Sequence, residues 1–294
     1  ADTPPDRLRR DQSAAKRLFV GSILEENLFP SPKIRARDRE ILGSVVEAID
    51  GFLDGKESDF KKWDREAHQP EEFIQGLRDM GLFGLIIPEE HGGLELSNGA
   101  YARVLTQTST HDASVSLTIG AHSSIGMKGI LLFGTDEQKA KYLPKLASGE
   151  YIAAFCLTES GSGSDAASIR TTARKNADGR WTLNGEKIWI TNGGIAQVYT
   201  VFARTEGTDG KITAFVVEAG WAGVTHGSHE DKMGIRASST TVVGFADVRV
   251  PAKARIGAPG SGWATWDGVM HDAVILLAAW AVGGRTRSRS LNCR

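Results

Sequence analysis

Three stretches of the chain combine residue types that could hold a ligand. The first reads Phe155-Cys156-Leu157-Thr158-Glu159-Ser160-Gly161-Ser162-Gly163-Ser164-Asp165-Ala166. Gly161, Gly163 and Ala166 follow G-x-G-x-x-A, the phosphate-binding spacing of dinucleotide folds. That use requires a helix straight after the loop. Downstream, however, Asn176, Asp178-Gly179 and Asn184-Gly185 are turn signals of β-hairpins. A nucleotide fold is therefore disfavoured. Glycines, hydroxyls and free amides can still wrap a polar ligand, because small residues let the backbone approach it. A plain surface turn is the equal alternative. Glu159 and Asp165 flank the glycines and read as turn caps rather than as a catalytic carboxylate pair.

The second stretch is Lys187-Ile188-Trp189-Ile190-Thr191-Asn192-Gly193-Gly194. Trp189 and Thr191 lie two residues apart, on one face of a strand. The indole could stack on a planar ring. Taken alone, the stretch favours a tryptophan that fills the domain core. The third runs from Asp231-Lys232-Met233-Gly234-Ile235-Arg236 through Ala237-Ser238-Ser239-Thr240-Thr241. Its cationic and hydroxyl groups suit an anionic or thioester-bearing ligand; by itself it reads as an exposed turn before a strand. His226, His229 and Glu230 have no helical i, i+4 pair and no second cluster, so they read as a solvated loop rather than a metal site. Cys156 reads as a core thiol. No Ser–His–Asp arrangement follows from the spacing.

The elements that position these stretches fall into two kinds. From residue 35 to about 149 the pattern is helical: Ile41, Val45, Ile49, Phe52 and Leu53 recur at helical spacing, as do Phe73, Leu77 and Met80. Gly81 closes the second of these helices. Residues 84–88 read as short and extended, and 100–110 and 115–133 as buried helices. Thr135 is the N-cap of the next helix, with Asp136 and Glu137 in its first turn, and Pro144 marks its end or a kink. Near Tyr151 the texture changes. Residues 153–157, 181–183, 187–191, 199–204, 213–218 and 241–250 read as short strands, with Asn176–Gly179 and Asn184-Gly185 as turns. Helices followed by evenly spaced strands predict an α+β chain with segregated domains. After Pro259 the chain turns Gly- and Trp-rich, and then basic at Arg285-Thr286-Arg287-Ser288-Arg289.

Composition bounds the function. The chain has 294 residues, 40% apolar and 24% charged, enough for about two domains with buried cores. Lys and Arg total 35 against 36 Asp and Glu, a net charge of −1 that gives no bulk electrostatic reason to bind nucleic acid. The longest apolar run, 273–282, is roughly half a membrane span. Cys156 and Cys293 cannot form a disulfide framework, which fits a reducing compartment. The chain begins at Ala1, which reads as processing, excision or incomplete translation; no secretory signal is visible.

Together, in this order and spacing, FCLTESGSGSD, KIWITNGG and DKMGIRASSTT resemble the three middle-domain signatures of the acyl-CoA dehydrogenase family. LFVGSILEENLFPSP, GLFGLIIPEEHGG, GAHSSIGMKGILLFG and EQKAKYLPKLASG are similar to its very-long-chain branch, which includes the complex I assembly paralogue. The resemblance spans residues 14–262. It implies an N-terminal all-helical domain (35–151, after an extension at 1–34), a β-barrel-like middle domain (152–258), and at 259–294 only a divergent remnant of the family's C-terminal four-helix domain, which is essentially absent. It implies FAD as cofactor, a fatty acyl-CoA as substrate and oxidation to the trans-2-enoyl-CoA. Electrons would pass to electron-transfer flavoprotein, in the mitochondrial matrix or at the inner membrane.

By this resemblance Phe155, Cys156, Leu157, Thr158, Gly161, Ser162, Gly163, Ser164, Trp189, Ile190 and Thr191 line the FAD. Thr158 bonds the flavin's polar edge, Trp189 packs on the isoalloxazine and Thr191 reaches its N5 side. Ser164, Arg236 and Ser239 meet the acyl-CoA. Three features depart from the family. Ser160 stands where proline is usual, which leaves the loop less preorganised. Ser239 replaces the branch's asparagine. Asp272-Ala273-Val274 lacks the arginine expected near there. The family's catalytic glutamate falls past Arg294, so no catalytic residue is assigned. The resemblance thus implies weak turnover, a compromised homodimer and apolar faces left uncovered; the alternative is a non-catalytic flavin- or acyl-CoA-binding or complex I assembly-type protein, or a truncated gene product. The tail at 285–294 has neither a helical pattern nor the family's residues.

Overall fold

The computed structural model describes residues 33–292. The helical pattern at 14–28 and Cys293 lie outside the described residues. The first layer is helical. Helix α1 (Ala36–Leu53) buries Leu42, Val45, Ile49 and Leu53, one stripe at helical spacing. Helix α2 (Glu57–Glu66) ends at Ala67, held in the left-handed region at φ 54°. Helix α3 (Glu71–Asp79) starts after Pro70, whose fixed φ suits a helix entry. Gly81 follows it at φ 70°, a conformation only glycine adopts freely.

Residues 84–88 are not extended. Successive turns close them, Gly84 N–H to Gly81 O and Ile87 N–H to Gly84 O. Leu85 and Ile87 are fully buried there, and a short apolar run gives no periodicity to separate a buried turn from a strand. Helix α4 (Asn98–His111) is followed by α5 (Ala113–Ala121), α6 (Lys128–Phe133) and α7 (Asp136–Ala147). The helix expected over 115–133 is therefore broken, by a π turn at His122–Gly126. Thr135 is the N-cap of α7, in a reciprocal capping box with Gln138, and Pro144 sits in the last turn.

The second layer is an eight-stranded sheet ordered β6-β7-β3-β2-β4-β5-β8, with β1 pairing to β4. The strands are β1 (Ala153–Cys156), β2 (Thr172–Lys175), β3 (Trp181–Thr191), β4 (Val198–Thr205), β5 (Ile212–Glu218), β6 (Val224–His229), β7 (Thr240–Val250) and β8 (Arg255–Ile256). β1 runs parallel to the first half of β4, and β2 runs parallel to its end at Arg204 and Thr205. Both therefore lie along the same edge, and the segment between them leaves the sheet there. Asn176–Gly179 is a turn, joining β2 to β3. Asn184-Gly185 is not. It lies inside β3, where the register against β7 shifts between Leu183 and Gly185. Gly185 sits at φ 149°, with the space for a Cβ filled by Thr171.

Alternation along β4 divides the core in two. Val198 and Phe202 join the helices, while Tyr199, Val201 and Ala203 face the interior of the curled sheet with Cys156, Trp181, Phe215 and Phe245. The last element, α8 (Gly262–Asn292), returns to the helical layer. Ser109 Oγ donates to Trp280 O at 2.9 Å, and the Trp280 Nε1–H donates to Ala113 O at 3.1 Å. The tail expected to be irregular from residue 285 is thus helical through Asn292. Val274, Leu277 and Val282 of α8 are exposed.

Candidate active site

The glycine-rich loop leaves β1 at Cys156 and closes at once. Glu159 and Ser162 exchange both backbone hydrogen bonds, at 3.2 and 3.0 Å, across a tight turn over Ser160-Gly161. Ser162 Oγ then donates to Asp165 O at 2.6 Å. Cys156, Leu157 and Ser162 are buried; Phe155 and Thr158 are half-buried; Gly161, Gly163 and Ser164 are exposed. A Cβ added at Gly161 or Gly163 would meet nothing within 4 Å, so the backbone is open to an approaching ligand. Phe155 packs against Phe202 with ring centroids 4.9 Å apart. Cys156 is a core thiol, as expected, and burial pushes its pKa far up.

Glu159 is more than a turn cap. Its carboxylate accepts from the Thr171 N–H at 3.0 Å, Thr171 Oγ1 at 2.6 Å, the Arg170 N–H at 2.5 Å and the Lys187 ammonium at 2.7 Å. Burial opposes its ionisation, but the bonds from Lys187, Thr171 and Arg170 outweigh it and hold the carboxyl below its usual range. Lys187 is fully buried, and desolvation brings its pKa down. The sequence carried no signal for this pair, because its members are 28 residues apart and Lys187 reads as one more polar residue of an alternating strand.

Trp189 does not fill the core. It is 63% exposed, in the left-handed region at φ 56°. It lies within the second irregularity of β3, between Lys187 and Ile190, which turns it outward. Ile190 is buried and Thr191 half-buried. Asn192, at φ 62°, donates its backbone N–H to Ser239 O at 2.8 Å and its side-chain amide to Thr118 O at 3.0 Å. Gly193 must be glycine: a Cβ there would lie 2.5 Å from Thr241 Oγ1 and 2.8 Å from Ile190 O.

The third stretch packs on the end of α2. The Arg236 N–H donates to Asp64 Oδ1 at 2.8 Å, and the guanidinium donates to Asp64 O at 3.1 Å and Lys232 O at 2.7 Å and pairs with Asp231. Arg236 therefore spends its charge on this chain. Lys232 donates to Ser238 O at 2.6 Å and Thr240 Oγ1 at 2.7 Å, and burial pulls its pKa down to about 8. Ser239 Oγ accepts the Gly194 N–H at 3.2 Å and lines a cleft of about 480 Å³ between α3 and the β6–β7 hairpin, with Gln69, Arg78 and Thr241. The candidate residues thus form two groups. The loop 157–164 and Trp189 are joined where the Ile188 N–H donates to Thr158 O at 2.9 Å. Ser239 and Arg236 belong to the second group. Among the described residues no group of three or more His, Cys, Asp or Glu could hold a metal ion.

A helical layer on a curled sheet, with an exposed indole one residue from the strand position that bonds the glycine-rich loop, defines a two-layer α+β protein. Its sequence matches the acyl-CoA dehydrogenase N-terminal domain over residues 44–150 and the acyl-CoA dehydrogenase middle domain over 154–248. The chain belongs to the acyl-CoA dehydrogenase family. It is 48% identical over 281 residues to the mitochondrial very long-chain specific acyl-CoA dehydrogenase of Macaca fascicularis, covering 92% of this chain and 43% of that protein. The chain thus spans under half the length of that relative. Among solved structures it is similar to butyryl-CoA dehydrogenase from Megasphaera elsdenii, with a TM-score of 0.80, 35% identity, and coverage of 86% of this chain and 67% of that one. An acyl-CoA dehydrogenase complexed with FAD from Bacillus anthracis has a TM-score of 0.77 and 35% identity, covering 89% of this chain and 44% of that one.

Proposed function

We propose that this chain carries the flavin- and thioester-facing part of an FAD-dependent acyl-CoA dehydrogenase of the very-long-chain type, which oxidises fatty acyl-CoA to the trans-2-enoyl-CoA in fatty-acid β-oxidation. The observation that carries the reading is Trp189, an aromatic ring held outward at a left-handed backbone, one residue after the Ile188 N–H that bonds Thr158 O and two before half-buried Thr191. An exposed indole at a strained position is a cost that a ligand-stacking role explains. FAD, when bound, supplies the acceptor for the hydride that leaves the β-carbon. Trp189 offers the ring face, Thr158 a hydroxyl to the polar edge and Thr191 one on the N5 side. The backbone is open to close approach at Gly161 and Gly163, and Ser164, exposed on the same loop, would meet both cofactor and thioester. Phe155, Cys156, Leu157, Ser162 and Ile190 shape that wall from beneath.

Removal of the α-proton needs a positioned base. None of the residues assigned here supplies one, so turnover requires a carboxylate outside this set. Ser239 and the loop carrying Arg236 flank the thioester's path. Electron-transfer flavoprotein as electron acceptor and a mitochondrial setting follow from the same family reading. No helix among the described residues is long and apolar enough to cross a membrane.

The deciding experiment is the visible absorbance of the purified chain before and after anaerobic addition of palmitoyl-CoA. A flavin spectrum that bleaches supports the dehydrogenase reading. Bound flavin that does not bleach reduces the chain to a binding module. Failure to take up FAD, even when it is supplied, refutes the cofactor assignment.

A further inference from the structure

Two consecutive residues of β3 grip the glycine-rich loop, and the third in line is Trp189. The Lys187 ammonium donates to Leu157 O at 3.0 Å and to Glu159 Oε1 at 2.7 Å, bracketing Thr158 on both sides. The backbone N–H of Ile188 takes Thr158 O itself at 2.9 Å. Trp189 comes next and is turned outward. On the far side, Glu159 is tied to the start of β2 through Arg170 and Thr171. Loop, β2 and β3 therefore share one buried ion pair.

We propose that Lys187 is a positioning residue that fixes the spacing between Thr158 and Trp189, with Glu159 as its anchor. This rests on the reading of those two residues as cofactor contacts. A fully buried lysine is costly to keep. Charge neutrality alone does not explain it, because an apolar residue facing a glutamine would be neutral at lower desolvation cost. What the lysine adds is geometry: one ammonium reaches a carbonyl and a carboxylate two residues apart, which a shorter or apolar side chain cannot do. Ser160 makes the grip matter more, since no ring fixes φ in the turn that Glu159 opens.

The test compares the full chain with Lys187→Met, Lys187→Arg and the double variant Glu159→Gln/Lys187→Met. Two measurements are made: hydrogen exchange of peptides covering 157–171 and 186–190, and FAD titration with visible circular dichroism of the bound flavin. In folded Lys187→Met, exchange at the Ile188, Arg170 and Thr171 amides is expected to rise at least tenfold, while β4 and β5 keep their protection. FAD affinity falls at least tenfold and the flavin dichroism changes, with partial rescue in Lys187→Arg. If Lys187→Met does not fold, the double variant, which leaves no orphaned carboxylate, is read in the same way. Wild-type exchange at those amides overturns the proposal, and so does a loosened loop with unchanged FAD affinity and dichroism. If the parent chain takes up no FAD, the cofactor reading has failed, and the exchange data alone decide whether Lys187 holds the loop.

Discussion

Replacing Trp189 separates backbone strain from ring stacking. The side chain is 63% exposed, so only about a third of its surface leaves solvent on folding. For a residue that buries roughly 250 Å² when fully enclosed, that is about 80–90 Å², or about 2 kcal/mol at 25 cal/mol per Å². Trp189→Ala should cost about that much. Trp189→Gly loses the same contacts but relieves the left-handed backbone at φ 56°, which costs a residue with a Cβ about 1 kcal/mol or more. Even after glycine's greater chain entropy, the glycine variant should be the more stable of the two by roughly 0.5–1 kcal/mol. That inverts the usual order within a strand. Urea unfolding of the two variants, compared at a shared m-value, reads the difference. FAD titration should show the same loss for both, about 10- to 100-fold, since each removes the whole ring. An alanine variant as stable as the glycine variant, or more so, refutes the strained backbone at 189. Unchanged FAD affinity in both refutes the stacking role.

Gln138 ties α7 to the strands: its Oε1 accepts the Thr135 N–H at 2.9 Å, and its Nε2 donates to Lys253 O at 2.7 Å and Arg255 O at 2.9 Å. Gln138→Ala should cost about 3 kcal/mol against about 1 for Thr135→Ala, measured from urea midpoints; equal losses would show that the tether to 253–255 contributes nothing. Burial pushes the His122 imidazole down to about 4. The unfolded chain takes up a proton below pH 6.5 that folded His122 refuses, so its contribution is complete above that pH. On the order of 3 kcal/mol is lost as pH falls toward 4. The stability difference between the parent and His122→Gln should shrink over that window, and a constant difference would refute the buried neutral ring.

Much of the fold was legible because its signals are local. The capping box at Thr135 and Gln138 uses residues three apart, and the stripe of Leu42, Val45, Ile49 and Leu53 repeats within one helix. β4 and β5 are buried almost throughout, and their mostly apolar runs likewise sit inside each strand. The misreadings arose where partners are distant or patterns are mute. Strand β6 is half-exposed or open throughout, so Val224–His229 shows no buried alternation. Asn184-Gly185 has hairpin chemistry, yet Thr171 fills the space beside Gly185 and the pair becomes a bulge instead. The break at His122–Gly126 ends on Gly126, where a Cβ would lie 2.6 Å from Ala153 O, and His122 Nδ1 accepts the Ala153 N–H; both contacts are with one residue, 31 positions after His122. In the candidate site the residue types singled out the loop at 155–166 and the strand at 187–191. Which way Trp189 faces, and that Lys187 grips the loop, depended on a bulge and a long-range ion pair that no window of the sequence contains.

The π turn has a consequence for how the chain is made. Some of its polar groups, and of those of α5 before it, bond earlier residues, as Ser124 Oγ does with Gly120 O and Thr118 Oγ1 with Gln69 Oε1, but three find partners in residues synthesised later. His122 needs Ala153, the Thr118 carbonyl takes the Asn192 side-chain amide, and the Gly126 carbonyl takes Thr200 Oγ1 at 2.8 Å. At about 5–20 residues per second, Thr200 follows His122 out of the ribosome by roughly 4–16 s. Through that interval the His122 Nδ1 and the Thr118 and Gly126 carbonyls lack the partners they have in the finished fold. The helical half therefore completes this turn only when the sheet docks on it.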